Sequence, residues 1–352
     1  MIPERPAEGY FFEDYSVGQV YHHTPPRTIN DADAVVYIAL TGARHPLNCS
    51  TPLARAMGHR GCPLDDLLVF HAAFGKTVAD VSYNAIANLG YADVRFLAPV
   101  YSGTTLAVQS EVIGLKGNSN GRSGVVYVRS RARDDDGTEV LTWIRWVMVA
   151  SRAPFVHAAP MVPELPAQVR PDDYKLPPFV EVAALDQRIT GSARQWSDFA
   201  PGETIDHPGG MTIEESDHMS AARLYQNSAR VHFDAFAARA LPHGRRLVYG
   251  GHVISVCRSL SYDGLENAFG IAAIHGGLHA HPTFAGDTIY CRHVVTAREE
   301  IPGRRDIGAL RLRMLGLKDA RPADVPTPAP GEKHPAIVLD LDYSVLMPRS
   351  RS

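Results

Sequence analysis

The stretch DHMSAARLYQNSARVHFD, residues 217–234, occurs twice in this chain in related forms. Residues 33–50 read DAVVYIALTGARHPLNCS, and the offset between the two copies is 217 − 33 = 184. The same offset aligns further residues on both sides: Asp14 with Asp198, Gly18 with Gly202, and Leu40 with Leu224. Farther downstream, Pro99 aligns with Pro282 at an offset of 183. We infer a tandem duplication of one module of roughly 150 residues, a usual domain size.

The two copies differ at the positions that carry chemistry. In the later copy, Asn227 and His232 stand five residues apart after a helical pattern. Their counterparts in the earlier copy are Ala43 and Asn48. The C-terminal copy is therefore predicted to be catalytic, and the N-terminal copy is predicted to be catalytically degenerate.

The repeat predicts two modules and a connector. We place an N-terminal module at residues 1–152, a connector at 153–183 and a C-terminal module at 184–352. The connector is rich in proline, which cannot continue a helix interior or a strand ladder, so an extended segment is expected. A chain of 352 residues also exceeds the size at which single cores stop growing.

Composition excludes several classes of protein. A hydrophobic content of 45% and a charged content of 21% are typical of a soluble globular chain. The net charge of −3 gives no support for a nucleic-acid or anionic-membrane partner. The sequence contains no apolar run near the ~20 residues that span a bilayer, and MIPERPAEGYFFEDY does not resemble a signal peptide. The four cysteines lack C-x-x-C spacing, so we expect buried thiols in a cytoplasmic protein.

Local patterns predict an α+β fold in each module, with helices first and an antiparallel sheet after them. Asn30 or Asp31 caps a helix over about 32–40, which Gly42 ends. A mostly apolar helix over about 65–81 is predicted to be buried and wrapped by the sheet. Strands follow from Ala92 onward, with a tight turn at 135–137 between alternating segments and a proline-rich loop at 319–335 before the last strand.

His232 is the strongest candidate for a catalytic group. Its ordinary pKa lies near neutrality, so it can accept and return a proton. The plain alternative is a histidine that only hydrogen-bonds its own loop, but Asn48 at the equivalent position indicates that the fold does not require histidine there. Asn227 could orient a water through its amide oxygen but cannot act as a base, and it could equally be a structural residue after a helix.

Two further stretches suggest ligand chemistry. Gly250 and Gly251 begin the second apolar helix, where backbone N–H groups can bind an oxyanion, although a glycine pair can also simply turn the chain. The segment HGGLHAH, residues 275–281, has the histidine spacing of a zinc site, but no cysteine or carboxylate accompanies it at ligand spacing. We therefore expect no metal and no separate cofactor. The segment GNSNGRSG lacks the Lys-Ser/Thr of a P-loop and is interpreted as a hairpin turn.

The T-I-x-x-x-D entrance to a helix, the Asn227/His232 pair and the later glycine resemble the MaoC-type hydratases of the hot dog fold. Two copies in one chain correspond to the double hot dog form. Within that family, PLDDLLVFHAAFGKTVADVSYNAIANLGYADVRFLAPVYSG, residues 63–103, resembles the mesaconyl-CoA hydratases, also called β-methylmalyl-CoA dehydratases. The resemblance covers essentially the whole chain.

The resemblance implies roles for particular residues. The family's catalytic histidine falls on His232, the aspartate after it on Asp234, and the oxyanion glycine on Gly251, with Gly250 before it. The family's catalytic aspartate falls on Asn227, which is a departure. Either His232 acts with less help than in the family, or another carboxylate enters the site.

The implied reaction is the reversible hydration of a short branched enoyl-CoA. His232 would deprotonate a water held by Asn227, and Gly251 would bind the enolate oxygen. The free carboxylate of such a substrate needs a cation, for which Arg230 and Arg223 are the nearest candidates in sequence. The first copy would shape the substrate tunnel.

Two alternatives remain open from the sequence. A hot dog thioesterase would share the fold and the acyl-CoA partner but would release free thiol. A non-catalytic acyl-CoA-binding protein would tolerate loss of His232. In every case we expect no nucleic-acid or membrane partner, and the exposed sheet edges of hot dog folds favour a homo-oligomer.

Overall fold

The structure, a computed structural model, describes residues 5–154, 159–185 and 187–349. Its ten strands are β1 (Val20–Thr28), β2 (Ala85–Phe96), β3 (Thr105–Gly117), β4 (Ser123–Arg133), β5 (Glu139–Ala150), β6 (Thr204–Thr212), β7 (Gly270–His279), β8 (Thr288–Glu300), β9 (Ile307–Lys318) and β10 (Ile337–Pro348). Its α-helices are α1 (Asp31–Thr41), α2 (Pro46–Cys49), α3 (Thr51–Ala56), α4 (Asp66–Thr77), α5 (Gln187–Thr190), α6 (Glu215–Leu224), α7 (Arg230–Phe233), α8 (Ala235–Ala238) and α9 (Gly250–Leu260).

All ten strands belong to one antiparallel sheet, in the order β1-β3-β4-β5-β2-β7-β10-β9-β8-β6. Each half of this order contains the five strands of one module, and the halves join where β2 pairs with β7. At that junction Ala92 pairs with Gly276, and 276 − 92 = 184, which is the offset of the sequence repeat. The two modules are therefore related by an approximate twofold axis, and the α+β prediction is confirmed.

The two long apolar helices, α4 and α9, are in contact close to this approximate twofold axis. His71 of α4 hydrogen-bonds Ser255 of α9 at 3.1 Å from Nε2 to Oγ, and these residues are again 255 − 71 = 184 apart. Both helices are buried along almost their whole length, as the apolar pattern predicts. The helix predicted over 65–81 is regular only to Thr77 and continues as a π-helical segment, Val78–Ser82.

Local signals set the ends of α1. The Asn30 side chain accepts hydrogen bonds from the N–H groups of Ala32 and Asp33, and Gly42 ends the helix with φ at +70°. Both features agree with the sequence. In contrast, β2 begins at Ala85 and not at Ala92, since residues of low strand propensity such as Asn88 are held in place by pairing with β5.

The described part of the connector is packed against the sheet. Met161 forms an isolated bridge with Leu115, and the Val169 N–H donates to Nδ1 of His275 at 3.1 Å. The Tyr174 hydroxyl donates to Glu299 at 2.7 Å and lies 3.1 Å from the hydroxyl of Ser344. Residues 155–158 of the predicted connector lie outside the described residues. Within the described ranges, every helix is too short or too polar to cross a membrane.

Candidate active site

A cavity of about 290 Å³ opens between the two modules. The N-terminal module contributes part of its wall, including Phe74, Val78, Ser82, Asn88, Tyr91 and Arg145. The C-terminal module contributes the rest, including Asn227, His232, Tyr249, Gly250, His279 and His281. Among the described residues that line the cavity, none is an aspartate or a glutamate. In the described wall, therefore, no carboxylate compensates for the asparagine at position 227.

His232 lies on α7 and is fixed in one tautomer. Its Nδ1 lies 2.9 Å from the carbonyl oxygen of Leu247, which can only accept, so Nδ1 carries the proton. Burial lowers the pKa of His232 to about 4, and the hydrogen bond to Leu247 opposes that shift. The imidazole is therefore neutral at pH 7, with an Nε2 lone pair available as a base.

Asn227 follows α6 and is buried at the cavity wall. Its Oδ1 accepts the N–H of Ala229 at 3.2 Å, so the side chain supports the turn that leads into α7. The oxygen keeps a second lone pair, and the amide nitrogen remains a donor. Asn227 can thus hold a water beside His232 only through its amide nitrogen or the second lone pair of its Oδ1.

The position of Asn227 depends on a glycine in the other module. A Cβ atom at Gly75 of α4 would lie 1.8 Å from the carbonyl oxygen of Tyr225 and 3.3 Å from the nitrogen of Asn227. Only a residue without a side chain lets α4 approach the backbone that carries Asn227 this closely.

Replacing Gly75 by alanine is expected to lower the free energy of unfolding by about 1–3 kcal/mol, because the added methyl group must push the Tyr225 backbone away. The same displacement moves Asn227 and should reduce kcat. Gly61→Ala is the matched control, since a Cβ there meets nothing within 4 Å. Urea unfolding and steady-state kinetics on both variants test this; equal behaviour of the two variants would contradict it.

The start of α9 supplies the backbone donors predicted for an oxyanion. The N–H groups in the first turn of a helix have no acceptor within that helix, and they lie at its positive end. Gly250 lines the cavity, whereas Gly251 is buried and is not part of the cavity wall. A Cβ at Gly250 would lie 2.4 Å from the ring of His279, so only glycine fits between α9 and β7.

The histidines of residues 275–281 do not form a group of three metal ligands in the described part of the chain. His275 accepts from the Val169 N–H and bonds Ser344, on the connector side. His279 lines the cavity, and its Nε2 lies 3.0 Å from the hydroxyl of Tyr91. Burial lowers the pKa of His279 to about 4, so it is neutral at pH 7. His279 and Tyr91 are cavity residues that the sequence interpretation did not assign to catalysis or binding.

A different histidine cluster has the spacing of a metal site. His207, Cys291 and His293 bring ligand atoms within 4.8 Å of one another. Their ring nitrogens are already bonded: His207 to the Asp263 carbonyl at 2.7 Å and to His293 at 2.8 Å, and His293 to the Tyr343 hydroxyl at 2.9 Å. This arrangement is a buried hydrogen-bond chain, and none of the three residues lines the cavity.

Four of the predicted site residues lie outside the cavity wall: Gly251, as described above, and Arg223, Arg230 and Asp234. Arg223 is exposed on α6, and Arg230 is exposed on α7 with its guanidinium on the hydroxyl of Tyr83 at 3.1 Å. Asp234 caps α8 by accepting the N–H groups of Phe236 and Ala237, each at 2.9 Å. Nearness in sequence suggested the two arginines and the family resemblance suggested Asp234, but none of the three side chains lines the wall.

The cation that does line the cavity is Arg145 of β5, which the sequence interpretation missed. It is 1% exposed and comes from the N-terminal module. The residues facing inward on this strand are otherwise apolar: Trp143, Val147 and Val149. A charged residue at an inward position of such a strand is the signal that could have identified it.

The equivalent site in the first copy is smaller. Ala43 is buried, and Asn48 donates to the Pro63 carbonyl at 3.1 Å. The cavity beside Asn48 has a volume of about 70 Å³. That volume is too small for an acyl-thioester with its pantetheine arm, which agrees with a degenerate copy.

Comparisons with known proteins agree with this architecture. The family model described as mesaconyl-CoA hydratase matches residues 4–324. The chain is 52% identical over 343 residues to the β-methylmalyl-CoA dehydratase of Chloroflexus aurantiacus, covering 97% of each chain. It is 48% identical over 344 residues to the mesaconyl-CoA hydratase of Cereibacter sphaeroides, covering 97% of this chain and 98% of the relative.

Solved structures give the same answer for the fold. A MaoC domain protein from Chloroflexus aurantiacus superposes with a TM-score of 0.95 at 50% identity, covering 99% of this chain and 100% of the other. A Mycobacterium tuberculosis protein described as a double hotdog fold superposes with a TM-score of 0.79 at 25% identity, covering 97% and 99%. The predicted double hot dog fold is confirmed.

Proposed function

Because the chain belongs to the mesaconyl-CoA hydratase family, we propose that it catalyses the reversible addition of water to mesaconyl-CoA, giving β-methylmalyl-CoA. It is a hydro-lyase. The observation that carries this proposal is full-length similarity to two enzymes of this activity, joined to a cavity that contains a neutral, correctly tautomeric His232.

His232 is the base in the proposed mechanism. Its Nε2 takes a proton from a water molecule held by the free part of the Asn227 amide, and the hydroxyl adds to the β-carbon of the enoyl-thioester. The imidazolium that results is unfavourable in a buried site, as the lowered pKa indicates. The negative charge that develops on the substrate at the same moment stabilises it.

The start of α9 is the proposed oxyanion site. Addition of hydroxide to the β-carbon moves an electron pair toward the thioester oxygen, which becomes an enolate. The N–H of Gly250, which lines the cavity, donates to this oxygen, and the N–H of Gly251 next to it adds to the positive potential at the start of the helix. The imidazolium of His232 then returns its proton to the α-carbon, so that water has been added and His232 is neutral again.

The absence of a carboxylate from the described cavity wall separates this proposal from the thioesterase alternative. A hot dog thioesterase needs a carboxylate or an equivalent group to direct water to the thioester carbon. Hydration needs only a base that takes and returns one proton. His232 can supply that alone.

The test is a spectroscopic assay on purified protein. With mesaconyl-CoA, we expect the absorbance of the conjugated enoyl-thioester to decay while a thiol reagent detects no free CoA. Release of free thiol at the rate of the absorbance change would replace hydration with thioester hydrolysis.

We also propose a cytoplasmic enzyme that assembles with copies of itself. The four cysteines are unpaired, as a reducing compartment maintains them, and acyl-CoA esters are the partners that the site requires. Strands β1 and β6 end the sheet on either side and present unpaired backbone groups to a second copy.

A further inference from the structure

Arg145 has a buried guanidinium without a carboxylate partner among the described residues. One of its nitrogens, Nη2, donates to the Thr77 hydroxyl at 2.7 Å and to the Ser82 hydroxyl at 3.3 Å. Its Nε has no partner in the described part of the chain, and its planar face lies on the ring of Phe74 at 4.2 Å. The nearby carboxylate of Asp80 is bonded to His23 and Arg5 instead.

The fold does not require a cation at this position. In the first module Arg145 pairs with Val128, and in the second Tyr343 pairs with Leu312; 312 − 128 = 184, the offset of the repeat. Arg145 and Tyr343 therefore occupy equivalent positions in the two modules. Tyr343 is buried and bonded to His293. A neutral side chain is therefore sufficient at the equivalent position of the sheet.

An uncompensated buried charge is expensive, and a protein normally neutralises it or supplies a counter-ion. Burial lowers the pKa of Arg145 only to about 10, so the guanidinium stays charged at pH 7. The described residues of the cavity wall contain no carboxylate to pair with it. A bound ligand would therefore supply the anion that pairs with the Arg145 guanidinium.

We propose that Arg145 is the residue that binds the free carboxylate of the substrate, and that it makes the cavity selective for acyl-CoA esters of dicarboxylic acids. The assignment rests on the proposed function. A planar guanidinium with unused N–H groups matches a carboxylate in a bidentate arrangement. Arg145 thus takes the role that the sequence analysis gave to Arg230 and Arg223, which are exposed and lie outside the cavity wall.

This assignment gives the two modules different tasks at the two ends of a four-carbon acyl chain. The C-terminal module holds the thioester end at Gly250 and Gly251 and supplies His232. The N-terminal module holds the carboxylate end at Arg145. The free carboxylate is attached directly to the β-carbon, so pairing with Arg145 also reduces its repulsion of the incoming hydroxyl oxygen. Arg145 should influence kcat as well as KM.

The test compares binding of two unreactive acyl-CoA esters, succinyl-CoA and butyryl-CoA, which have the same chain length and differ in the terminal carboxylate. Calorimetric titration of Arg145→Met should show Kd for succinyl-CoA weakened by on the order of 100-fold, while Kd for butyryl-CoA changes by less than about threefold. Arg145→Lys keeps the charge but loses the planar fork, so a loss of about tenfold is expected.

The matched control is Arg258→Met. Arg258 is also buried, and its guanidinium bonds the Ser261 hydroxyl and the Ala268 carbonyl away from the cavity. This variant should leave the ratio of the two Kd values unchanged. Equal weakening of both esters in Arg145→Met and Arg145→Lys, or no change in either, would overturn the proposal. A wild-type protein that distinguishes the two esters through Arg145 but does not hydrate mesaconyl-CoA would refute only the proposed reaction.

Discussion

Replacing His232 by alanine should lower kcat for mesaconyl-CoA hydration by on the order of 100- to 10,000-fold, the range that a positioned acid/base group contributes. The loss is expected to be near the upper end. Of the described cavity residues, none is a carboxylate, and Nε2 of His279 is already engaged with the Tyr91 hydroxyl at 3.0 Å. The hydroxyl of Tyr91, whose pKa burial raises, cannot replace a base.

Binding should survive in this variant, because His232 contributes proton transfer and leaves the cationic and oxyanion contacts in place. The check is absorbance of the enoyl-thioester for kcat, with Kd for butyryl-CoA measured alongside. His59→Ala is the matched control, since His59 lines only the small cavity of the first copy, where it bonds the Tyr101 hydroxyl at 3.0 Å. Comparable rates for the two variants would remove His232 from the mechanism.

Lowering the pH from 6.5 toward 4 is expected to destabilise the protein steeply. Burial lowers the pKa to between about 3 and 4 in a group of histidines: His71, His232, His252, His275 and His279. Unfolded histidines bind protons near pH 6.5, whereas these folded ones do so only near pH 4 or below. The unfolded state therefore binds more protons throughout this window, and stability falls as pH falls, by about 1.4 kcal/mol per pH unit for each such group.

Buried carboxylates oppose this trend only in part. The pKa of Asp66 is raised to about 7 and that of Asp65 is also raised, so these groups favour the folded state below those values. They are fewer than the histidines. Urea unfolding between pH 7.5 and 4.5 measures the slope, and His45→Phe should make it shallower, because His45 is buried and its pKa is lowered without any hydrogen bond to its ring. A flat profile, or an unchanged slope in the variant, would contradict this.

The sequence predicts those features whose signals are local. The Asn30 cap, the Gly42 terminus, the buried helices and the tight hairpin depend on residues within one element, and the structure agrees with each of them. The repeat offset recurs in the structure, where the equivalent residues His71 and Ser255 are in direct contact.

The site is predicted less completely because it depends on long-range packing. His232 and Asn227 were found through the repeat, since only one copy has them. Arg230 and Arg223 were chosen for the carboxylate because they lie near His232 in sequence. Arg145 is 87 residues from His232 along the chain (232 − 145 = 87), and the two line the same cavity because β5 of one module and α7 of the other both border it. Sequence spacing cannot reveal such a juxtaposition.

The pairing of β2 with β7 has a consequence for how such an enzyme could arise. A symmetric homodimer of single modules forms two identical pockets, and any change in one pocket wall is copied to the other. Two C-terminal modules would bring two bases but place Tyr343 where a guanidinium is needed, and two N-terminal modules would bring two guanidinium groups and no base. Fusion of the copies into one polypeptide lets each half mutate independently. The single pocket then acquires a direction, with one end for the thioester and the other for an acid group.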